Sequence, residues 1–288
     1  MPRLPPRTIT RLSLPSCRTV GTAAREDQRM IGLSRDSNHR YTAAYDGTTV
    51  ALPSVTTILQ VLSKPALVPW AQGIVAEAAI AHRGDIEGWI AVGGTEGAVG
   101  LLRKAAETQR DKAATRGSDV HALAEKIIHG ESVIVPDDLT NYVDGYRRWV
   151  DVFKPEFLAS EELIAGDGYA GTLDAIAVIA GETWLLDWKT SKAGPYKETA
   201  CQLAAYGQAH YIGRPGDPRR YALPKVEQYG VVRLRPEGAE LVPYDITGAY
   251  DAFRAALTIW HWLEGAAKSA VGQPIGPALL NFPREAIA

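Results

Sequence analysis

A chain of 288 residues with 46% hydrophobic content and 22% charged residues can bury one substantial core plus appendages, which excludes a fully disordered polymer. The formal net charge of −2 excludes nucleic-acid capture by whole-protein attraction, so any such binding has to use a local surface. Two cysteines, Cys17 and Cys201, exclude a disulfide scaffold and point to a reducing compartment; no apolar run approaches membrane-spanning length, so a soluble, cytoplasmic protein is expected.

Residues 1–29 hold six arginines and four prolines with little periodicity. The composition is that of a transit peptide, but the prolines spoil an amphipathic helix, and residues 1–40 are expected to be a disordered or overlong tail ahead of the first recognisable segment. From Tyr41 a short β-rich stretch leads to Ser54, a suitable N-cap, and then to helices. Pro69 suits a first helical turn; Gly97 to Ala114 and Ser118 to His129 read as two further helices. Pro136 opens another, with Tyr142, Tyr146, Trp149, Val150 and Phe153 at core spacing.

Three strands should follow, then a helix through Gln202, a hairpin around Pro236-Glu237-Gly238 and a last helix through Trp260 and Trp262. That order gives an α/β fold, a mixed sheet flanked by helices with a helical N-terminal half. One domain is expected over 41–265, its helical part at 54–153 and its core at 116–245, with a loose tail at 266–288. The Pro/Gly-rich loop from Arg214 to Lys225 carries four cations against the single Asp217 and is the best basic surface. No phosphate-binding Gly-x-x-x-x-Gly-Lys-Ser/Thr loop is present, so ATP-driven activity is not expected.

The chemistry-bearing residues gather between Ala170 and Tyr206: Gly171-Thr172-Leu173-Asp174, Asp187-Trp188-Lys189-Thr190, and Gln202 with Tyr206 one turn on. Thr172 to Ile179 and Thr183 to Thr190 read as a hairpin. A type II′ turn centred on Gly181-Glu182 would set Asp174 opposite Lys189 and Asp187 opposite Ile176. Asp174, Asp187 and Lys189 then share one face, and Leu173, Ala175, Ala177, Ile179, Trp184, Leu186 and Trp188 form the apolar other. Two carboxylates and a lysine so arranged suit phosphodiester hydrolysis: the acids hold a divalent cation, and Lys189 steadies the attacking water or the developing charge. Trp188 offers its backbone carbonyl as a further oxygen ligand. An isolated Asp-x-Lys is usually a surface charge couple; here it follows an apolar strand with a partner acid and a Gln/Tyr helix face.

This constellation resembles the PD-(D/E)XK nuclease superfamily, in its RecB-like branch of CRISPR-associated and phage-type exonucleases. The resemblance is tight over 116–211 and looser from Tyr41 onward, where Pro53-Ser54-Val55-Thr56-Thr57-Ile58-Leu59 is similar to the opening of phage-type members. It implies a restriction-endonuclease-like core, Asp174 and Asp187 as metal ligands, Lys189 as the catalytic lysine, and Gln202 and Tyr206 beside the DNA backbone. It also implies that His121, in Gly117-Ser118-Asp119-Val120-His121, is a metal ligand and that Glu161, rather than its neighbour Glu162, belongs to the site. A histidine beside a stripe such as Val120, Leu123 and Ile127 is often a structural residue, but Gly117 one turn earlier would allow close approach to the sheet and favours the ligand role. Lys192 and Thr190 are further candidates for contact with the phosphate backbone.

The expected activity is a Mg²⁺- or Mn²⁺-dependent deoxyribonuclease. Its expected role is that of an exonuclease in recombination, repair or phage DNA processing, acting on single strands or duplex ends, with a recombination protein as a possible partner. A histidine ligand favours Mn²⁺. A structure-specific endonuclease with the same site and a non-catalytic DNA-binding subunit are the alternatives. Many branch members carry an iron-sulfur cluster on four cysteines, which two cysteines cannot build.

Overall fold

The computed structural model describes residues 8–9, 30–45, 48–191, 196–214 and 216–274. β1 (Thr8–Ile9) pairs with β5 (Val133–Ile134) in a short ladder. β2 (Met30–Arg35), β3 (Tyr41–Tyr45) and β4 (Thr48–Leu52) make an antiparallel meander. The stretch set apart as a tail thus contributes a strand, and Leu33, Tyr41 and Ala43 pack on Leu163, Ala165 and Tyr211 of the main sheet.

Ser54 caps α1 (Val55–Ile58), its hydroxyl accepting from the Thr57 amide at 2.9 Å. α2 (Leu67–Ala81) carries Pro69 in its first turn, where a missing N–H costs nothing. The two helices expected over 97–114 and 118–129 are parts of one: α3 (Ile86–Ile128) is interrupted only at Gly94, whose φ of 68° and ψ of 177° are not helical. Gly117 does not break it because one glycine inside a long helix costs only about 1 kcal/mol, and the buried Val120, Leu123 and Ile127 hold the segment down. α4 (Thr140–Phe153) starts after a short turn that Pro136 opens, and buries Tyr142, Tyr146, Trp149 and Val150 as core.

The main sheet has seven strands in the order β10-β9-β6-β7-β8-β11-β12. These are β6 (Glu156–Gly166), β7 (Tyr169–Ile179), β8 (Glu182–Lys189), β9 (Tyr211–Arg214), β10 (Asp217–Tyr221), β11 (Gln228–Arg235) and β12 (Gly238–Pro243). Only β8 and β11 run parallel, which makes the sheet mixed. α5 (Thr199–Gly207) and α6 (Ala249–Glu264) cover one face with α1, through Leu203, Phe253 and Ile58 on Ile176 and Leu185. The C-terminal half of α3 and α4 cover the other, through Ile127, Tyr146 and Trp149 on Ala177, Leu186 and Trp188.

Two expectations about the β7–β8 hairpin are corrected. The pairs are Ile179 with Glu182, Ile176 with Leu185 and Ala175 with Leu186, so the register lies two residues from the expected one. Ala180 and Gly181 are the central turn residues, both at positive φ (52° and 88°), a type I′ turn whose twist matches the strands. Asp174 and Asp187 lie just beyond the last of these pairs, and both line one cavity. Leu173, however, packs with Ile176 and Leu185, away from Ala175 and Ala177. Strict alternation fails at Asp174–Ala175, opposite Glu161 with its φ of 50°.

The basic loop from Arg214 to Lys225 is also not simply a loop, because β9 and β10 form an antiparallel pair there. Arg214 bonds Glu162 at 2.9 Å and stacks 4.2 Å over Tyr221, while Arg219 pairs with Asp217 at 2.8 Å. Those cations serve the edge of the sheet. Cys17, residues 192–195 and 275–288 lie outside the described residues, so the phosphate contact expected of Lys192 and most of the expected C-terminal tail do too.

Candidate active site

Asp174 stands in the middle of β7, and Asp187 and Lys189 stand at the end of β8. Glu161 comes from the irregular stretch of β6, His121 from α3, and Gln202 and Tyr206 from one face of α5. These seven residues line one open cavity of about 490 Å³. Helix and strand meet closely here: a Cβ on Gly117 would lie 3.5 Å from Oγ1 of Thr190. Thr190 itself follows the last residue of β8, outside the cavity lining.

Ligand atoms of His121, Glu161 and Asp174 all lie within 4.8 Å of one another. His121 Nδ1 is 3.6 Å from Asp174 Oδ1 and 4.0 Å from Glu161 Oε1, while Nε2 is 2.9 Å from the Trp188 carbonyl. That carbonyl accepts from the imidazole. Asp174 Oδ2 accepts from the Trp188 amide at 2.7 Å, so one residue of β8 fixes both His121 and Asp174.

Asp187 is held from the other side. Lys189 Nζ donates to Oδ1 at 2.8 Å and stands 2.7 Å from Oδ2 without hydrogen-bond geometry; the Gln202 amide reaches Oδ1 at 3.0 Å. Both oxygens of this buried carboxylate thus face the Lys189 ammonium, and Oδ1 takes the Gln202 amide as well. Gln202 also donates to the Tyr206 hydroxyl at 3.2 Å, and Tyr206 is buried, so both α5 residues point inward at Asp187 instead of outward to a bound strand.

The electrostatics follow from packing acids together. Burial opposes charge on His121, but the neighbouring Asp174 carboxylate prevails and pushes the imidazole up to about 9. Burial, reinforced by Asp174, pushes Glu161 up to about 7. Burial also raises Asp187 in spite of the Lys189 ammonium beside it, whereas Asp174, equally buried, is held below the usual carboxylate range by His121. Lys189 is raised because Asp187 and Asp174 outweigh its own burial. Asp174 and Asp187 thus hold the protons of His121 and Lys189 against burial, and a divalent cation would feel the same field.

The sequence reading passed over a further part of the lining, Arg35, His39 and Tyr41. The signal for it was there: Asp36-Ser37-Asn38 between two apolar runs is a hairpin pattern. No family model matches this chain, and no curated protein matches it. Among solved structures, the crystal structure of SSO0001 is similar over 57% of this chain and 82% of that one, with 15% identity and a TM-score of 0.26, a likeness too slight to bear on fold or function.

Proposed function

We propose that this protein is a Mg²⁺- or Mn²⁺-dependent deoxyribonuclease with a PD-(D/E)XK-type site on a restriction-endonuclease-like core, acting as an exonuclease in recombination, repair or phage DNA processing. What supports the proposal above all is convergence: His121, Glu161, Asp174 and Asp187, drawn from four separate elements, share one open cavity with a lysine ion-paired to Asp187. A structural charge cluster has no need of a cavity.

His121, Glu161 and Asp174 are the donor set for a cation, with the buried Asp187 carboxylate beside them in the same cavity. A divalent ion bound there supplies charge neutralisation and a more acidic water. Lys189 brings its ammonium to the same space and stabilises charge developing on the phosphate oxygens. Gln202, pinned by Tyr206, keeps Asp187 oriented. Burial and Asp174 raise Glu161 to about 7, so a cation binding there would have to displace its proton near neutrality.

The test is cleavage of end-labelled DNA, linear and circular, single- and double-stranded, with Mg²⁺, Mn²⁺ or EDTA. Metal-dependent loss of linear substrate alone is the expected result. Cleavage of circles would make the protein an endonuclease, and no cleavage under any condition would overturn the proposal.

A further inference from the structure

One wall of the cavity is not accounted for by the hydrolytic groups. The β2–β3 hairpin sends Arg35 and His39 into the lining, next to Tyr41 and the hydroxyl-bearing Ser54 and Thr56. Arg35 Nη1 donates to Oγ1 of Thr172 at 3.4 Å, and the guanidinium lies 6.0 Å from the centre of the Tyr41 ring. The Tyr41 hydroxyl stands 2.8 Å from the same Thr172 oxygen, so the residue two before Asp174 anchors both. Nη2 of Arg35 bonds Nδ1 of His39. Arginine only donates, so His39 accepts at Nδ1 and, when neutral, carries its proton on Nε2.

The turn carrying these groups is built rather than loose. Asp36 Oδ1 accepts from the Asn38 and Arg40 amides at 2.8 and 2.9 Å, and the Asp36 amide meets the Arg40 carbonyl at 3.0 Å. His39 takes a φ of 59° to close the turn. None of the partners of Arg35 named above is a carboxylate, although the cavity it lines is rich in them. A fork of N–H donors held by hydroxyl, ring and imidazole, beside an acidic hydrolytic centre, has the chemistry of a phosphate grip.

We infer that Arg35, with the Nε2–H of His39, binds a backbone phosphate of the nucleic-acid strand adjacent to the one being cleaved. The inference rests on the nuclease function proposed above and assigns the β2–β3 hairpin to substrate binding. Arg35 is a binding residue for the strand, whereas Lys189 acts at the reacting phosphate. A rival role is electrostatic support of Glu161, whose carboxyl the Arg35 charge does lower.

The experiment is steady-state cleavage of a single-stranded oligonucleotide by the full chain in Mg²⁺ at a series of salt concentrations, with Arg35→Ala, Arg35→Lys, His39→Gly and the exposed neighbour Arg40→Ala. Arg35→Ala should raise KM about tenfold with a smaller change in kcat, and flatten the salt dependence of log KM by about 0.7, one phosphate contact on a single strand. Arg35→Lys should recover part of the KM and most of the salt slope, and Arg40→Ala should match wild type. A KM and salt slope unchanged by Arg35→Ala, with only the pH profile moved, would assign Arg35 to Glu161 and overturn the inference. Where Arg35→Ala loses its circular-dichroism melt, Arg35→Lys and His39→Gly decide: raised KM in both supports it and unchanged KM in both overturns it. An inactive wild type would instead sink the nuclease function itself.

Discussion

The backbone amide of Trp188 donates to Oδ2 of Asp174 across 2.7 Å, from the strand that carries Asp187 and Lys189 on either side of that tryptophan. The bond turns the other oxygen of Asp174 toward His121. Because Trp188 is itself packed against Tyr146 and Trp149, the carboxylate is oriented by the core and not by solvent. Asp174→Asn should therefore keep its place but lose charge: the melting temperature should fall modestly, because His121 loses its partner carboxylate, while Mn²⁺ affinity by calorimetry falls at least tenfold. Equal affinity would remove Asp174 from the donor set.

Lys189 and Asp187 form a buried-to-partly-exposed pair, with side chains 35% and 1% accessible. Lys189→Ala should cost turnover about two to four orders of magnitude through lost transition-state stabilisation. It also leaves Asp187 without its cation, a loss of roughly 2 kcal/mol in the metal-free protein, less than for a fully buried pair because solvent screens the lysine. Saturating Mn²⁺ should restore most of that stability without restoring turnover, as read from melting curves and rates on the same preparations. Recovery of both together would mean that Lys189 only balances charge.

The folded protein holds protons more tightly than the unfolded chain at Glu161, raised from 4.5 to about 7, and at His121, raised from 6.5 to about 9. The native state binds more protons across both windows, so the contribution of these groups to metal-free stability falls as pH rises through them. A cation held by the same groups has to displace those protons, so its stabilisation should grow over the same range. Melting temperatures against pH, with and without Mn²⁺, should diverge upward toward pH 9. A gap independent of pH would exclude His121 and Glu161 as ligands.

A Cβ on Gly171 would lie 2.7 Å from Cε1 of Tyr206, and nothing there is free to retreat, since Tyr206 is buried. Gly171→Ala should displace the ring, cost about 1–3 kcal/mol and loosen the Gln202 contact with Asp187. Tyr206→Phe, which removes only the hydroxyl, should lower kcat less and leave stability nearly unchanged. Equal loss of kcat in the two variants, with no loss of stability in Gly171→Ala, would show that the ring position does not matter.

The two acids were legible as a pair because period-two alternation in one hairpin gathers them, and both do line one cavity although the register lies two residues off and alternation breaks beside Asp174. The same rule misplaced Leu173, since no local pattern announces a positive φ at Glu161 on the neighbouring strand. Gln202 and Tyr206 were found by their helical spacing, but not their inward direction, which depends on where Asp187 lies. Arg35 escaped notice because its partner Thr172 is far along the chain, and pairing at that distance leaves no periodic trace.

The most direct measurement is the DNA cleavage rate against Mn²⁺ concentration for wild type, Asp174→Ala and Asp187→Ala, each shown to be folded. Wild type should follow a saturating metal dependence that EDTA abolishes. Both variants should show no cleavage at any Mn²⁺ concentration, with DNA binding retained or improved as negative charge leaves the cavity. Metal-independent cleavage by wild type, or a normal rate from either variant, would contradict the assignment of this cavity as a metal-dependent nuclease centre.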